Sequence, residues 1–449
     1  MNALLRLVKQ HVHRTQVRFC IPGHGGGDAA PASVRRFLGR PAFRADVTQT
    51  MDMPDAFDAT GVFPALRARC ARAWHAHDAA FLSGGSSSGV QAMMLAALAP
   101  GQEVTLGRDL HLSAVWGLIA SGAVPRFLPT EWDAETGLAR PPRLEGVAGP
   151  LFAVRPNYVG WCCAVPERTD LTLVDEAWGG HLGFSSRYPQ SAMQRGADLA
   201  TSSVHKMLSG LSGTALLLRQ GQAVDPARWF HAAMMVSTTS PYYGAWLSLE
   251  GAVEQMIRQG AELWDRVWEG AAGLREALRG LPGIRLVEAG GLESDPTRVL
   301  FALEGWSGHA VEAALLRRGI AVEMATAGHV LLVVGLGHRP SHVQRLTTAL
   351  ARLTRSPQGP GTGVHWSVPS LSMPPREAWF APRRSCPWDA ASGRVAAEPV
   401  SIYPPGIPLL IPGERVDGGV VDALRQAQEQ GARLLGLADP TGQTLQTVA

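Results

Sequence analysis

Lysine is nearly missing from this chain. Among 41 basic residues only Lys9 and Lys206 are lysines and the rest are arginine, a bias read as coding composition. Arginine cannot replace a lysine that must lose its proton and attack a carbonyl, because the guanidinium stays charged, so either surviving lysine is a candidate for amine chemistry. Cysteine is scarce as well. Cys20, Cys70, Cys162, Cys163 and Cys386 are odd in number and show no CxxC spacing, which argues against a disulfide framework and against a zinc site. No stretch reaches the roughly 18 apolar residues of a membrane span. The N-terminal run MNALLRLVKQHVHRTQVRF is broken by Lys9, His11 and Arg14, so no secretory leader is expected. Excess charge of one sign is also lacking: 41 basic side chains stand against 38 acidic ones, without the imbalance of a nucleic-acid binder. With 46% hydrophobic and 18% charged residues, intrinsic disorder is excluded. The expectation is a soluble, cytoplasmic globular protein that binds neither nucleic acid nor membrane nor metal.

What is present is length and pattern. At roughly 150 residues per domain, 449 residues allow about three domains. The first 20 residues read as an amphipathic helix, with Leu4, Leu5, Val8 and Val12 at helical spacing. They belong to an N-terminal helix and arm over 1–57. From 58 to 240 the short apolar runs AAFLSGG, EVTLG, VPRFLP, PLFAVRP, LTLVDEA, ADLATSS and GTALLLR alternate with helical or glycine-rich stretches. That is the pattern of a large α/β domain with a mostly parallel sheet. A long helix over 243–278 opens a small α+β domain spanning 241–355: strands at IRLVEAG and TRVLFALE, the helix HAVEAALLRRG, strands at IAVEMA and HVLLVVGLG, and a last helix over 340–353. The run 356–363, SPQGPGTG, reads as a linker. A C-terminal domain follows over 364–449.

Four elements of the α/β domain carry chemistry. Lys206 follows a strand in ATSSVHKMLSG, where Ser202, Ser203 and His205 flank it; a desolvated lysine has a lowered pKa and forms Schiff bases, although a lone surface lysine has the same local sequence. Asp175 ends the apolar strand of LTLVDEAWGGHLGF, where α/β sheets bind ligands. It suits a protonated pyridine nitrogen, as pyridoxal phosphate requires, or an ordinary ion pair or helix cap. The turn Gly84, Gly85, Ser86, Ser87, Ser88, Gly89 joins a strand to a helix and offers backbone N–H groups and hydroxyls to a phosphate, or else is a serine-rich cap. It lacks the GK[ST] ending of a nucleotide loop. His111, after the strand of DLHLSAVWG, stacks on an aromatic cofactor or is a structural histidine. Phosphate loop, stacking residue, strand-end aspartate and strand-end lysine, in that order, is the arrangement of fold-type-I pyridoxal phosphate enzymes.

With these motifs the sequence resembles the Orn/Lys/Arg decarboxylases, in a short form. The likeness runs from IPGHGGG through GGSSSG, DLHLS, RPNYVG, VDEAWGGH, SSVHK and STTSPYY to MPPREAWF and IYPPGIPLLIPGE. It implies a fold-type-I transferase-like large domain, a small α+β domain and a C-terminal domain, with pyridoxal 5'-phosphate as cofactor. By that likeness Lys206 binds the cofactor covalently, Asp175 pairs with its pyridine nitrogen and His111 stacks on its ring. Ser87, Ser88, Ser203 and His205 hold the phosphate or its surroundings, while Ala177 and Trp178 line the site. Lys206, His205 and His111 are the expected catalytic groups, with Lys206 or His205 returning a proton to Cα. The family's site forms between two subunits, so a homodimer or larger homo-oligomer is implied, with Thr239 and Ser240 reaching the partner's phosphate. The expected reaction is decarboxylation of arginine, lysine or ornithine, with arginine favoured and polyamine biosynthesis as its setting.

The substrate's distal cation needs an acid, for which Asp52, Asp55 and Glu414 are the candidates. Departures from the family pattern occur at Leu112, Trp178, Val90 and Gln49. The chain is expected to lack the N-terminal wing domain of the long members. Another pyridoxal-phosphate reaction, by an oxidase or lyase, and a non-catalytic cofactor-binding homologue are the alternatives.

Overall fold

A computed structural model describes residues 2–49, 52–133, 136–166, 170–353, 366–403, 406–429 and 432–449. The expected linker at 356–363 lies outside them.

Each of the seven apolar runs forms a strand of one sheet: β1 Asp78–Leu82, β2 Glu103–Leu106, β3 Val124–Phe127, β4 Pro150–Val154, β5 Leu171–Asp175, β6 Leu199–Ser203 and β7 Ala215–Arg219. Their order is β1-β7-β6-β5-β4-β2-β3. β3, β2, β4, β5 and β6 pair in parallel, while β7 is antiparallel to both β6 and β1. Every residue of β5, β6 and β7 is buried, as expected of strands covered on both faces. Alternate residues divide between two cores. Ala79, Phe81, Leu151, Val174, Ala200 and Leu216 face the long helix Tyr243–Arg279. Ala80, Leu82, Phe152, Leu173, Leu199 and Leu217 face the helices Gly85–Ala97, Leu112–Ser121 and Pro226–Met235. The result is a three-layer α/β unit whose parallel strands all end at one edge.

The small antiparallel sheet comprises β8 Ile284–Leu286, β9 Arg298–Leu303, β10 Met324–Ala325 and β11 Val330–Val333, in the order β10-β11-β9-β8. The strand expected at IAVEMA is only the two residues of β10. The C-terminal part packs the helix Gly418–Glu429 and two short antiparallel sheets around Trp388, Val400, Leu409, Leu410 and Leu424. The N-terminal helix is shorter than expected, Ala3–Arg14, because the Thr15 hydroxyl bonds the His11 carbonyl at 2.7 Å and competes with the next turn.

Candidate active site

The loops after β1, β2, β4, β5 and β6 enclose a cavity of about 490 Å³. At its floor β1 turns into the helix Gly85–Ala97. Gly85 adopts φ +72°, a conformation costly for a side chain, and a Cβ on Gly89 would collide with the Thr201 side chain on β6. The two glycines thus set the turn and let the helix lie close to the sheet. Gly85, Ser86 and Ser87 line the cavity at the helix N-terminus, whose dipole favours an anion, while the Gly85 N–H itself donates to the Gly213 carbonyl at 2.7 Å. Ser203, fully buried, donates to the Ser86 hydroxyl at 2.8 Å. Ser88 points elsewhere: its hydroxyl bonds the Gly85 carbonyl at 2.8 Å and does not line the cavity.

Asp175, His111 and Lys206 converge on the same space. Asp175 ends β5, is buried, and accepts the Ala177 N–H at 3.0 Å. Burial pushes its pKa up, against the pull of Lys206 and His111. His111 caps the helix Leu112–Ser121, and its Nδ1 accepts the Ser113 N–H at 3.1 Å, which places the proton of the neutral ring on Nε2. Burial lowers its pKa, Asp175 raises it and Lys206 lowers it. Lys206 follows β6, and its Nζ lies 4.4 Å from the centre of the Trp178 ring. Burial also lowers the pKa of this amine, opposed by Asp175 and Glu323 and reinforced by Arg298. His205 donates from Nδ1 to the Thr214 carbonyl at 3.1 Å, and burial lowers its pKa.

Several lining residues were not singled out from the sequence. Asp109 is buried beside the cavity with its Oδ2 lacking a hydrogen-bond partner, and burial, with Asp175 adding to it, pushes its pKa up to about 7. Tyr158 packs edge-on against Trp178 at 5.2 Å and donates to Glu323 Oε1 at 2.8 Å. Glu323 comes from the small domain, and Tyr403 and Ile407 come from the C-terminal part. Tyr158 and Tyr403 lie within RPNYVG and IYPPGIP, segments noted only as family marks; Glu323 sits in a run read as strand, where nothing local sets it apart.

Other expected site residues lie elsewhere. Thr239 and Ser240 are exposed and do not line this chain's cavity. Asp52 and Asp55 line a different hollow, formed with Gln49 and Asp58. Asp52 pairs with Arg14 at 2.7 Å and His11 at 3.0 Å, while Asp55 accepts from the Phe57 N–H at 2.8 Å and from Gln49. Glu414 corrects the expectation directly. It is fully buried, bidentate to Arg108 at 2.8 Å on both oxygens, and it also accepts the Ile411 N–H. No oxygen of this carboxylate is left for a substrate; it instead ties the β2 loop to the C-terminal part.

The major-domain model of the Orn/Lys/Arg decarboxylases matches residues 3–144 and 163–296, and the family's C-terminal-domain model matches residues 364–443. The chain belongs to the Orn/Lys/Arg decarboxylase family. Arginine decarboxylase of Bacillus subtilis is 30% identical over 97% of this chain and 95% of its own length. Arginine decarboxylase of Bacillus anthracis is 28% identical over 99% and 97%. Among solved structures, the constitutive lysine decarboxylase of Escherichia coli superposes with a TM-score of 0.84 at 20% identity, covering 100% of this chain and 82% of the other. Lysine decarboxylase A of Pseudomonas aeruginosa gives 0.85 at 21%, covering 100% and 80%. The fold is therefore fold type I, as expected from the order of the motifs. Among the described residues no helix is long and apolar enough to cross a membrane.

Proposed function

We propose that this chain is a pyridoxal-phosphate-dependent arginine decarboxylase, acting in the cytoplasm as a homodimer or larger homo-oligomer. The observation that carries the reading is the convergence of Lys206, Asp175, His111 and the Gly85–Ser87 turn on one cavity. The donor set fits the cofactor: an anion cradle, a flat imidazole, a buried carboxylate and an amine of lowered pKa. When bound, pyridoxal phosphate supplies an electron sink for the pair of electrons left when carbon dioxide departs.

In this reading Lys206 attaches the cofactor, and it or His205 returns a proton to Cα. Asp175 holds a proton on the pyridine nitrogen, for which a buried carboxylate without a full partner is suited. His111 lies against the ring, with its tautomer set by Ser113. Gly85, Ser86, Ser87, Ser203 and His205 surround the phosphate, with Ser88 bracing the turn. Ala177 fixes Asp175, and Trp178 walls the site against Lys206.

Glu323 is assigned to the guanidinium of arginine, in place of Asp52, Asp55 and Glu414. Among the described residues three carboxylates line the cavity, and of these Asp109 and Asp175 are buried while Glu323 is exposed. The names of the near-full-length Bacillus relatives favour arginine over lysine and ornithine. Exposed Val17, Phe19, Ile21, Phe37 and Leu38 on the N-terminal arm suit coverage by a second subunit, across which Thr239 and Ser240 reach the partner's site.

The test is mass-spectrometric product identification with arginine, lysine and ornithine, beside Lys206→Ala. Agmatine from arginine alone, absent with the variant, is expected. An oxidised product, or cofactor bound without turnover, would overturn the assignment.

A further inference from the structure

Trp178 is in contact with two cations. Lys206 Nζ lies 4.4 Å and Arg298 Cζ 4.5 Å from its ring centre, so the two charges are no more than about 9 Å apart. Each is attracted by the indole π system, but each repels the other. Arg298 is held firmly. It is buried at the start of β9, with Nη1 2.8 Å from Thr297 Oγ1 and 3.5 Å from Asp295 Oδ2, and Nη2 3.5 Å from the Trp178 carbonyl. Asp295 Oδ2 lies 3.3 Å from Nε2 of His181, itself buried against Trp264 and Tyr188. Gly160, at φ +94°, leaves room for the arginine stem: a Cβ there would stand 2.5 Å from Arg298 Cγ.

We propose that Arg298 is a positioning residue for Lys206, acting through Trp178 as a fixed buried cation that disfavours a second positive charge at the same indole. The other titratable groups of the cavity are Asp175 from β5, Asp109 and His111 from the loop after β2, Tyr158 from the loop after β4, His205 beside the amine, Glu323 from the small domain and Tyr403 from the C-terminal part. Asp175 and Glu323 favour the protonated amine, and Arg298 opposes them. Clamped by Asp295, it adds to burial in favouring the uncharged amine of Lys206.

The scarcity of lysine makes the test direct. Lys9 is exposed and Lys206 lines the cavity, so trace acetylation of the full chain, freed of any carbonyl cofactor and read peptide by peptide, reports the two lysine amines, apart from the α-amine, by mass spectrometry across pH. In wild type Lys206 is expected to titrate below the ordinary lysine range, because burial disfavours its charge. Arg298→Gln is expected to raise the Lys206 midpoint by roughly one pH unit, the repulsion of charges about 9 Å apart at an effective dielectric of about 20. Arg298→Lys should leave it near wild type, and Lys9 should not move in either variant. If Arg298→Gln loses the wild-type near-ultraviolet dichroism, Asp295→Asn/Arg298→Gln, which removes the unpaired carboxylate, is measured instead, with a smaller rise of the Lys206 midpoint expected because the lost carboxylate had partly offset the guanidinium. An unmoved Lys206 midpoint in the folded neutral variant, or an equal shift in Arg298→Lys, overturns the proposal. No turnover is read, so the result stands apart from the decarboxylase assignment.

Discussion

Truncating Glu414 to alanine would leave Arg108 charged, buried and without its counter-ion. The guanidinium has no exposure and spends both terminal nitrogens on this one carboxylate; its remaining bonds run to the carbonyls of Pro408 and Leu409. It also lies over the rings of Phe127, at 4.8 Å, and Trp366, at 5.5 Å, which leave water no ready approach. Breaking a buried pair from one side costs about 3–5 kcal/mol, far above the ~1 kcal/mol or less of an exposed pair. Urea unfolding followed by tryptophan fluorescence, at fixed protein concentration, should show Glu414→Ala less stable by that amount. The double variant Arg108→Met/Glu414→Leu, which removes both charges and keeps apolar volume, should recover most of the loss. His111 and Asp109 share the loop of Arg108, so the single variant is also expected to loosen the cavity wall. A single-variant cost below about 1 kcal/mol, or a double variant no better than the single, would refute the reasoning.

Asp109 gives a pH dependence with a definite sign. Its folded pKa, pushed up to about 7 by burial, exceeds that of an unfolded aspartate, so the native state holds an extra proton. That contribution is complete below about pH 4 and is lost as pH rises to about 7, up to roughly 4 kcal/mol at about 1.4 kcal/mol per unit. Asp109→Asn should therefore gain stability relative to wild type between pH 5 and pH 8 in urea unfolding; a constant difference would count against it. Glu323→Gln should raise the KM for arginine by roughly 10- to 100-fold, as expected for the loss of a charged hydrogen-bond partner, while kcat changes less. An equal fall in kcat with KM unchanged would move Glu323 from substrate binding to the chemical step.

Much of the molecule is written locally. Runs such as LTLVD and ALLLR are mostly apolar because both faces of their strands are covered, so their number and their succession along the chain are legible in the sequence pattern. Lys206 stood out because almost every other basic residue is arginine, and Asp175 because a carboxylate ends an apolar run. The turn at Gly85 is legible for a similar reason: a strand, a glycine at positive φ and a helix occupy consecutive residues. In each case the physical cause acts within a few positions.

Tertiary structure decided the partners. Glu414 lies 306 residues from Arg108 along the chain, and nothing near it distinguishes a buried ion pair from a substrate-binding acid. Glu323, Tyr158 and Tyr403 come from different parts of the chain and become one cavity wall only after folding. The direction of β7 was equally hidden, since an apolar run reads the same whether it pairs parallel or antiparallel. Arg298 meets Lys206 across Trp178 because β9 of the small sheet packs against the loop after β5. The sequence by itself determined the elements and the groups able to do the chemistry, through short-range periodicity and residue type. The pKa values and pairings of those groups depend on burial and on charges distant in sequence, which only the folded chain brings within a few ångströms.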